Sequence, residues 1–191
     1  MRDPYQLVDG IDEMKIRTRD DFSKILELYK KPVGVVIRDH RGRLVEPLLT
    51  RTRERLTIYS VSRWEGRLGE SRKEEATQRL SKFGDKNLTI LKSSLDAARD
   101  FQDDFFDFVY IDINKRYDET LADLNAWWPK AKDKALFSGN NYLYKKNNDE
   151  IVKAVNEFVK DKGQELFLTQ EDGQNKEDKI RSFYFFKNMA P

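Results

Sequence analysis

The chain has 191 residues, 38% of them hydrophobic and 12% aromatic, which is enough to bury the core of one ordinary domain. Lys and Arg (36) nearly balance Asp and Glu (34), and the mixed signs argue against a nucleic-acid binder. The lack of cysteine excludes disulfides, thiolate zinc sites and cysteine nucleophiles. No apolar run reaches the roughly 20 residues of a membrane span, and no signal-type segment opens the chain. We therefore expect a soluble, cytoplasmic protein with no membrane partner.

The first 32 residues are predicted to form a helical extension. Phe22, Ile25, Leu26 and Tyr29 recur at helical spacing, which indicates one apolar face. We expect this face to pack on the edge of a sheet that begins at residue 33.

Seven short apolar runs follow, and they alternate with helical patterns over residues 33–191. Their β-branched and aromatic residues predict buried strands at 33–37, 56–61, 88–91, 106–111, 135–137, 165–169 and 182–186. Helices are predicted at 74–83, 94–101, 117–128 and 148–160. This alternation favours a parallel sheet with helices on both faces. The polar segment 171–179 predicts a loop that joins the last two strands as an antiparallel pair.

Polar residues follow the first two predicted strands, where ligands of open α/β sheets bind. The loop at 38–43 contains only Gly42, whereas close approach of a nucleotide usually needs several glycines, and it carries the single histidine, His40. We expect an exposed polar loop here. After the second strand, Ser62 cannot hold a ribose diol as a carboxylate would, and Trp64 is expected in the core although it could stack on an adenine.

The fourth and fifth predicted strands are also followed by polar residues. Asp112 leaves a buried strand, where a carboxylate is costly unless it is paired or bound to a ligand. It could contact a ligand, or it could cap a helix or pair with Lys115 or Arg116. Asn140 and Asn141 follow the fifth strand and cannot act as general bases. They are expected to form a turn, with a ligand contact as the alternative.

Several segments of the second half resemble one known family. They are FDFVYID at 106–112, Tyr117, Asp123, WWPK at 127–130, Ser138 and Gly139, Tyr142, and VKAVNEF at 152–158. These residues resemble class I S-adenosylmethionine-dependent methyltransferases, in particular the group that includes sugar and other small-molecule O-methyltransferases. The match is specific from about residue 83 to 187 and looser back to about residue 33. The resemblance implies a Rossmann-like α/β fold of seven mostly parallel strands whose last strand is antiparallel.

Departures from the family pattern fall at positions that the family uses for chemistry. The first-strand motif resembles GVEIGV in the family and reads GVVIRD at 34–39 here, which places Val36 at the acidic position and Arg38 at the donor-facing glycine. Ser62 replaces the acidic residue after the second strand. Lys115, Asn140 and Asn141 replace two histidines and an aspartate, whereas Asp112 is retained.

The resemblance implies two sets of site residues. The methyl donor, S-adenosylmethionine, would be the cofactor of an active member, and no metal site is expected. The implied donor-binding positions are Gly34, Arg38, Gly42, Ser62, Trp64, Ser94 and Asp112. The implied catalytic positions are Asp112, Lys115, Asn140 and Asn141.

The sequence therefore favours a methyltransferase-like domain that has lost donor-dependent catalysis and serves as a binding or assembly module for a protein partner. One alternative is a diverged O-methyltransferase acting on a sugar or other small molecule, with Lys115 as a base if burial lowers its pKa. Another is a domain for a small anion attracted by Arg38, Arg41 and Arg43.

Overall fold

The computed structural model describes residues 16–52, 55–112, 116–142, 149–170 and 181–188. These residues build one sheet of seven strands in the order β3-β2-β1-β4-β5-β7-β6. The strands are β1 (Val33–Ile37), β2 (Thr57–Val61), β3 (Asn87–Ile90), β4 (Phe106–Ile111), β5 (Ala131–Tyr142), β6 (Phe167–Leu168) and β7 (Arg181–Phe186).

The strand directions confirm the predicted fold class. Strands β1 to β5 run parallel to one another, and β7 lies antiparallel to both β5 and β6. All seven predicted strands are present. The strand order reverses between β1 and β4, so the crevice at the carboxyl ends of these two strands is where a ligand of such a sheet is expected.

Six α-helices cover the two faces of the sheet in the described residues. They are α1 (Phe22–Leu26), α2 (Val45–Arg51), α3 (Gly69–Leu80), α4 (Ser94–Arg99), α5 (Tyr117–Trp127) and α6 (Asp149–Asp161). Residues of α1, α2 and α3 join the core on one face, and residues of α4, α5 and α6 join the core on the other. No helix in the described part of the chain is both long enough and apolar enough to cross a membrane.

Local sequence signals explain the two longest C-terminal helices. Helix α6 buries the predicted stripe that includes Ile151, Val155 and Phe158. Gly163 follows this helix with φ 61°, a left-handed conformation that a glycine adopts without steric cost. Helix α5 ends at Trp127, just before Pro129, whose ring cannot continue a helix.

Two local predictions had wrong bounds, and one helix was not predicted. The helix predicted at 74–83 begins earlier, at Gly69, and continues after Leu80 as a 3₁₀ turn at Ser81–Lys86. Strand β5 starts at Ala131, four residues before the predicted start. Helix α2 was not predicted, although its Pro47 is the third helical residue and lies in the first turn, where no intrahelical N–H donor is needed.

The N-terminal helix packs on a face of the sheet, which corrects the prediction that it packs on an edge. Phe22 is fully buried, and its ring contacts Phe108 of β4 and Tyr184 of β7 at centroid distances of 6.3 and 5.6 Å. The Tyr29 hydroxyl donates to the Lys134 carbonyl at 2.6 Å. The described part of the predicted extension, from Ile16 onward, therefore contributes side chains to the same core. The predicted 171–179 loop lies outside the described residues.

Phe22→Ala should lower the free energy of unfolding by about 3–5 kcal/mol, because it opens a cavity between α1 and the centre of the sheet. Urea denaturation measures this loss. Leu91→Ala is the control, since Leu91 is exposed and its truncation should change stability by less than about 0.5 kcal/mol. A loss under about 1 kcal/mol for Phe22→Ala would show that the N-terminal helix is not part of the core.

Candidate functional site

A cavity of about 570 Å³ opens at the carboxyl ends of β1, β2 and β3. The starts of α4 and α5 and part of α3 complete its walls. Four of the residues predicted to bind the donor line it: Arg38, Ser62, Trp64 and Ser94. Its size lies within the range of small-molecule sites, about 300–1,000 Å³.

Arg38 bridges the crevice between β1 and β4. Its Nε donates to the Asp112 carbonyl at 2.8 Å, and its guanidinium forms an ion pair with the Asp123 carboxylate of α5. The side chains of this pair are 17% and 6% exposed, so water screens the pair only weakly. Arg38 also has φ 69°, a left-handed conformation that favours glycine. The arginine side chain is therefore held at two points across the crevice.

His40 and Ser62 form a hydrogen-bonded pair on the cavity wall. The His40 Nδ1 atom lies 2.9 Å from the Ser62 Oγ atom, and Trp64 Nε1 donates to the His40 carbonyl at 2.8 Å. Burial lowers the pKa of His40, and the cations of Arg72 and Arg38 lower it further. The prediction of an exposed loop was thus wrong for half-buried His40, and Trp64 lies at the cavity instead of in the core.

The rest of the loop after β1 serves packing and capping. The Asp39 carboxylate accepts three backbone N–H bonds, from Arg43, Leu44 and Val45, at 3.1, 2.9 and 3.0 Å. These bonds occupy N–H groups at the start of α2, which have no partner within the helix. Gly42 has φ 69°, and a Cβ there would lie 2.9 Å from the Leu80 side chain. Gly42 therefore supports the contact with α3 and does not line the cavity.

Gly34 also lies away from the cavity. It is the second residue of β1, and a Cβ built on it would lie 2.9 Å from the Phe108 ring of the neighbouring strand. Its missing side chain makes room for that ring, so the predicted donor contact of Gly34 has no counterpart in this geometry.

Ser94 and Ser93 divide two tasks at the start of α4. Ser93 is the N-cap, and its Oγ accepts from the Asp96 amide at 3.1 Å. The Ser94 Oγ atom accepts from Trp127 Nε1 at 2.9 Å. That bond satisfies the only polar hydrogen of a fully buried tryptophan and fixes Ser94 in the cavity wall.

A second polar group lies at the carboxyl ends of β4 and β5. Asn141 Nδ2 donates to the Asp112 Oδ1 atom at 3.4 Å, and Asn140 also hydrogen-bonds to Asp112. Burial raises the pKa of Asp112 against the opposing effect of Asn140. The structure therefore brings three of the four predicted catalytic positions together, whereas Lys115 lies outside the described residues. Both asparagines belong to β5, which corrects the predicted turn.

The arginines that line the cavity differ from those predicted to attract an anion. Arg41 and Arg43 do not line the cavity, because both pair with Glu75 of α3, at 2.6 and 3.5 Å. Arg72, which follows Glu70 and Ser71 in α3, does line it and was missed. Asp123 was predicted only to match the family pattern, and its ion-pair partner Arg38 lies 85 positions away in the sequence. No local pattern signals such a distant partner.

Comparison with known proteins identifies the scaffold. A family model described as a methyltransferase domain matches residues 41–142. None of the curated proteins matches the sequence. A protein from Corynebacterium glutamicum is similar in structure, with a TM-score of 0.65 and 9% identity over 100% of this chain and 93% of that one.

Two similar structures carry enzyme names. An O-methyltransferase from Bacillus cereus in complex with SAH has a TM-score of 0.64 and 12% identity, over 96% of this chain and 88% of that one. Precorrin-6y C5,15-methyltransferase from Geobacter metallireducens has a TM-score of 0.64 and 15% identity, over 91% and 87%. At these identities the similarity establishes the fold.

Asp123→Ala should lower the free energy of unfolding by about 3–5 kcal/mol, because it leaves the Arg38 guanidinium largely buried without its counter-ion. Arg38→Met combined with Asp123→Ala should cost less than the sum of the two single changes, with a coupling of about 1 kcal/mol or more by urea denaturation. The exposed pair of Arg63 and Glu65 is the control and should show coupling under about 1 kcal/mol. Additive costs for Arg38 and Asp123 would contradict a structural role of their ion pair.

Acidification should destabilise the fold through His40. The pKa of His40 is lowered in the folded chain, so the unfolded chain, with an ordinary histidine pKa of about 6.5, takes up the proton more readily. The stabilisation is therefore present above about pH 6.5 and is lost as the pH falls through that value. Between pH 7.5 and 5.5 the unfolding free energy of His40→Gln should fall less than that of the unchanged chain. If the unfolding free energies of the two chains fell equally over this pH range, His40 would not be buried in its neutral form.

Proposed function

The chain belongs to the family of methyltransferase domains, and we propose that it is a member that has lost S-adenosylmethionine-dependent catalysis and serves as a non-catalytic binding or assembly module. The observation that carries this proposal is the position of Arg38. Its side chain bridges β1, β4 and α5 at the point where the strand order reverses. That point is where ligands of open α/β sheets bind.

The obstruction by Arg38 is mainly steric. Asp123 offsets most of the arginine charge, so repulsion of a cationic sulfonium is the smaller effect. A donor that enters the crevice must instead displace a side chain held by an ion pair and by a hydrogen bond to the Asp112 carbonyl. Breaking a buried ion pair leaves a charge without compensation and costs about 3–5 kcal/mol. This cost alone corresponds to at least a hundredfold loss of affinity.

The ribose side of the site lacks its acidic partner. Ser62 stands at that position and shares a hydrogen bond with His40. A charged hydrogen bond contributes about 1.5–3 kcal/mol, so a missing carboxylate weakens donor binding by a further factor of about ten or more. Both losses act on the same ligand and add to each other.

A second function, a diverged O-methyltransferase acting on a sugar or other small molecule, is favoured by two observations. The cavity of about 570 Å³ is retained, and Asp112 lies beside Asn140 and Asn141 at the neighbouring strand ends. In this function S-adenosylmethionine would be the cofactor. Burial raises the pKa of Asp112, which makes its carboxylate a stronger base than an ordinary aspartate and suits it to accept a hydroxyl proton.

Contact with a protein is supported by the outer edge of the sheet. Within the described residues strand β3 pairs only with β2, and three exposed large apolar residues lie on it or within five positions of its end: Leu88, Leu91 and Leu95. Edge strands and exposed apolar side chains are common features of surfaces that bind other chains.

Calorimetric titration with S-adenosylhomocysteine separates the two functions. We expect no saturable heat up to about 1 mM ligand, which corresponds to a binding free energy weaker than about −4 kcal/mol. Micromolar binding by the unchanged chain would overturn the non-catalytic proposal and support the methyltransferase.

A restored variant tests the physical cause. Arg38→Gly combined with Ser62→Asp should gain affinity for S-adenosylhomocysteine by about tenfold or more, because the glycine frees the crevice and the carboxylate supplies the ribose contact. Arg99→Gly with Ser62→Asp is the matched control, since it removes an exposed arginine that does not line the cavity. Equal affinities of the two double variants would show that Arg38 does not obstruct the donor.

A further inference from the structure

Four cationic side chains line the cavity, and three of them have carboxylate partners: Arg38 with Asp123, Arg63 with Glu65, and Lys92 with Asp100. Arg72 is the fourth, and it makes no salt bridge within the part of the chain that the structure describes. Its side chain is partly buried on α3. A guanidinium placed in a concave site without a counter-ion favours an anionic ligand.

Arg72 faces the pair formed by His40 and Ser62. Its charge acts on the His40 ring and, after burial, is the next cause that lowers the pKa of that ring. At neutral pH the imidazole is therefore uncharged and carries one N–H. If Ser62 donates to Nδ1, the remaining proton of His40 is on Nε2, which is then a donor for a ligand.

The carboxylates that line the cavity are each paired with a cation, which weakens their repulsion of an anion. The family's acidic position after β2 is occupied by the Ser62 hydroxyl, which is neutral. The Asp123 carboxylate is compensated by Arg38, and Glu119 lies 3.8 Å from Arg116. Glu65 is exposed and paired with Arg63, so solvent screens its charge.

We propose that this cavity binds a small phosphate monoester, with its phosphate between the Arg72 guanidinium and the Nε2–H donor of His40, while the Ser62 hydroxyl donates to His40 Nδ1 and fixes that tautomer. A phosphate presents three oxygens and accepts the forked hydrogen bonds of an arginine. The cavity is larger than a free phosphate ion requires, and Trp64 supplies an aromatic wall for the remainder of the ligand. This ligand binding goes beyond the proposed function and does not require a methyl donor.

The single histidine gives a direct probe of the site. The intact chain is titrated with adenosine 5′-monophosphate at constant ionic strength, and the His40 C2–H resonance is followed by proton NMR. We expect a saturable shift of this resonance. We also expect the apparent pKa of His40 to rise on binding, because a nearby anion favours the imidazolium. Adenosine alone should leave both unchanged.

Arg72→Gln should weaken binding by about tenfold or more, since it removes the charged contact to the phosphate. Arg99→Gln is the matched control, because it removes one exposed positive charge outside the cavity and should leave binding unchanged. Thermal unfolding of both variants checks that the fold is kept.

Three results would overturn the proposal. Adenosine binding as tightly as the monophosphate would show that the phosphate is not recognised. Equal losses of affinity in Arg72→Gln and Arg99→Gln would show that only the net charge of the protein affects binding. Inorganic phosphate binding as tightly as the monophosphate would identify a site for the free ion. The S-adenosylhomocysteine titration bears only on the non-catalytic function, so the two proposals can fail separately.

Discussion

The ion pair between Arg38 and Asp123 organises the functional end of this molecule. It joins the end of β1 to α5, and the bond from Arg38 Nε to the Asp112 carbonyl adds the end of β4. These three elements surround the point where the strand order reverses, which is the position that normally holds a ligand in this architecture. The contact therefore stabilises the scaffold where β1, β4 and α5 meet, and the cavity lies beside it over β1 to β3.

The fold was largely predictable because its signals are local. Each strand contains the short apolar run that predicted it, and the stripe that includes Ile151, Val155 and Phe158 specifies the buried side of α6 without reference to any distant residue. The missed helix α2 shows where this reasoning stops. Its start is capped by Asp39 from outside the helix, and the N-cap residue Leu44 has no side chain that could cap it, so the segment itself lacks an N-cap signal. Phe22 was assigned to an edge because periodicity indicates an apolar face but does not identify its partner.

The sequence predicted which residues belong to the candidate site, but it did not predict which of them form hydrogen bonds or ion pairs with each other. Arg38 and Ser62 were both predicted to lie at the site, and both line the cavity. Their partners are not visible, because Asp123 and His40 are 85 and 22 positions away. Charge patterning failed for the same reason. Arg41 lies in a run of basic residues that suggests an anion site, yet it is neutralised by Glu75 on another helix.

Backbone strain at the carboxyl edge of the sheet shows whether contacts within the chain hold the residues of the site in place. Three non-glycine residues there adopt left-handed conformations: Arg38 with φ 69°, Trp64 with φ 48° and Asn141 with φ 63°. Each such residue costs roughly 1–3 kcal/mol and persists only where its surroundings enforce it.

Each of the three has a specific bond that holds it. Arg38 pairs with Asp123, the Trp64 indole donates to the His40 carbonyl, and the Asn141 amide donates to Asp112. A site that had only lost its ligand contacts would relax to unstrained backbone, because nothing would oppose the relaxation. Here the three residues form a bonded framework beside the cavity, and these bonds oppose relaxation without any ligand. The carboxyl edge is therefore preorganised, because contacts within the chain fix its shape.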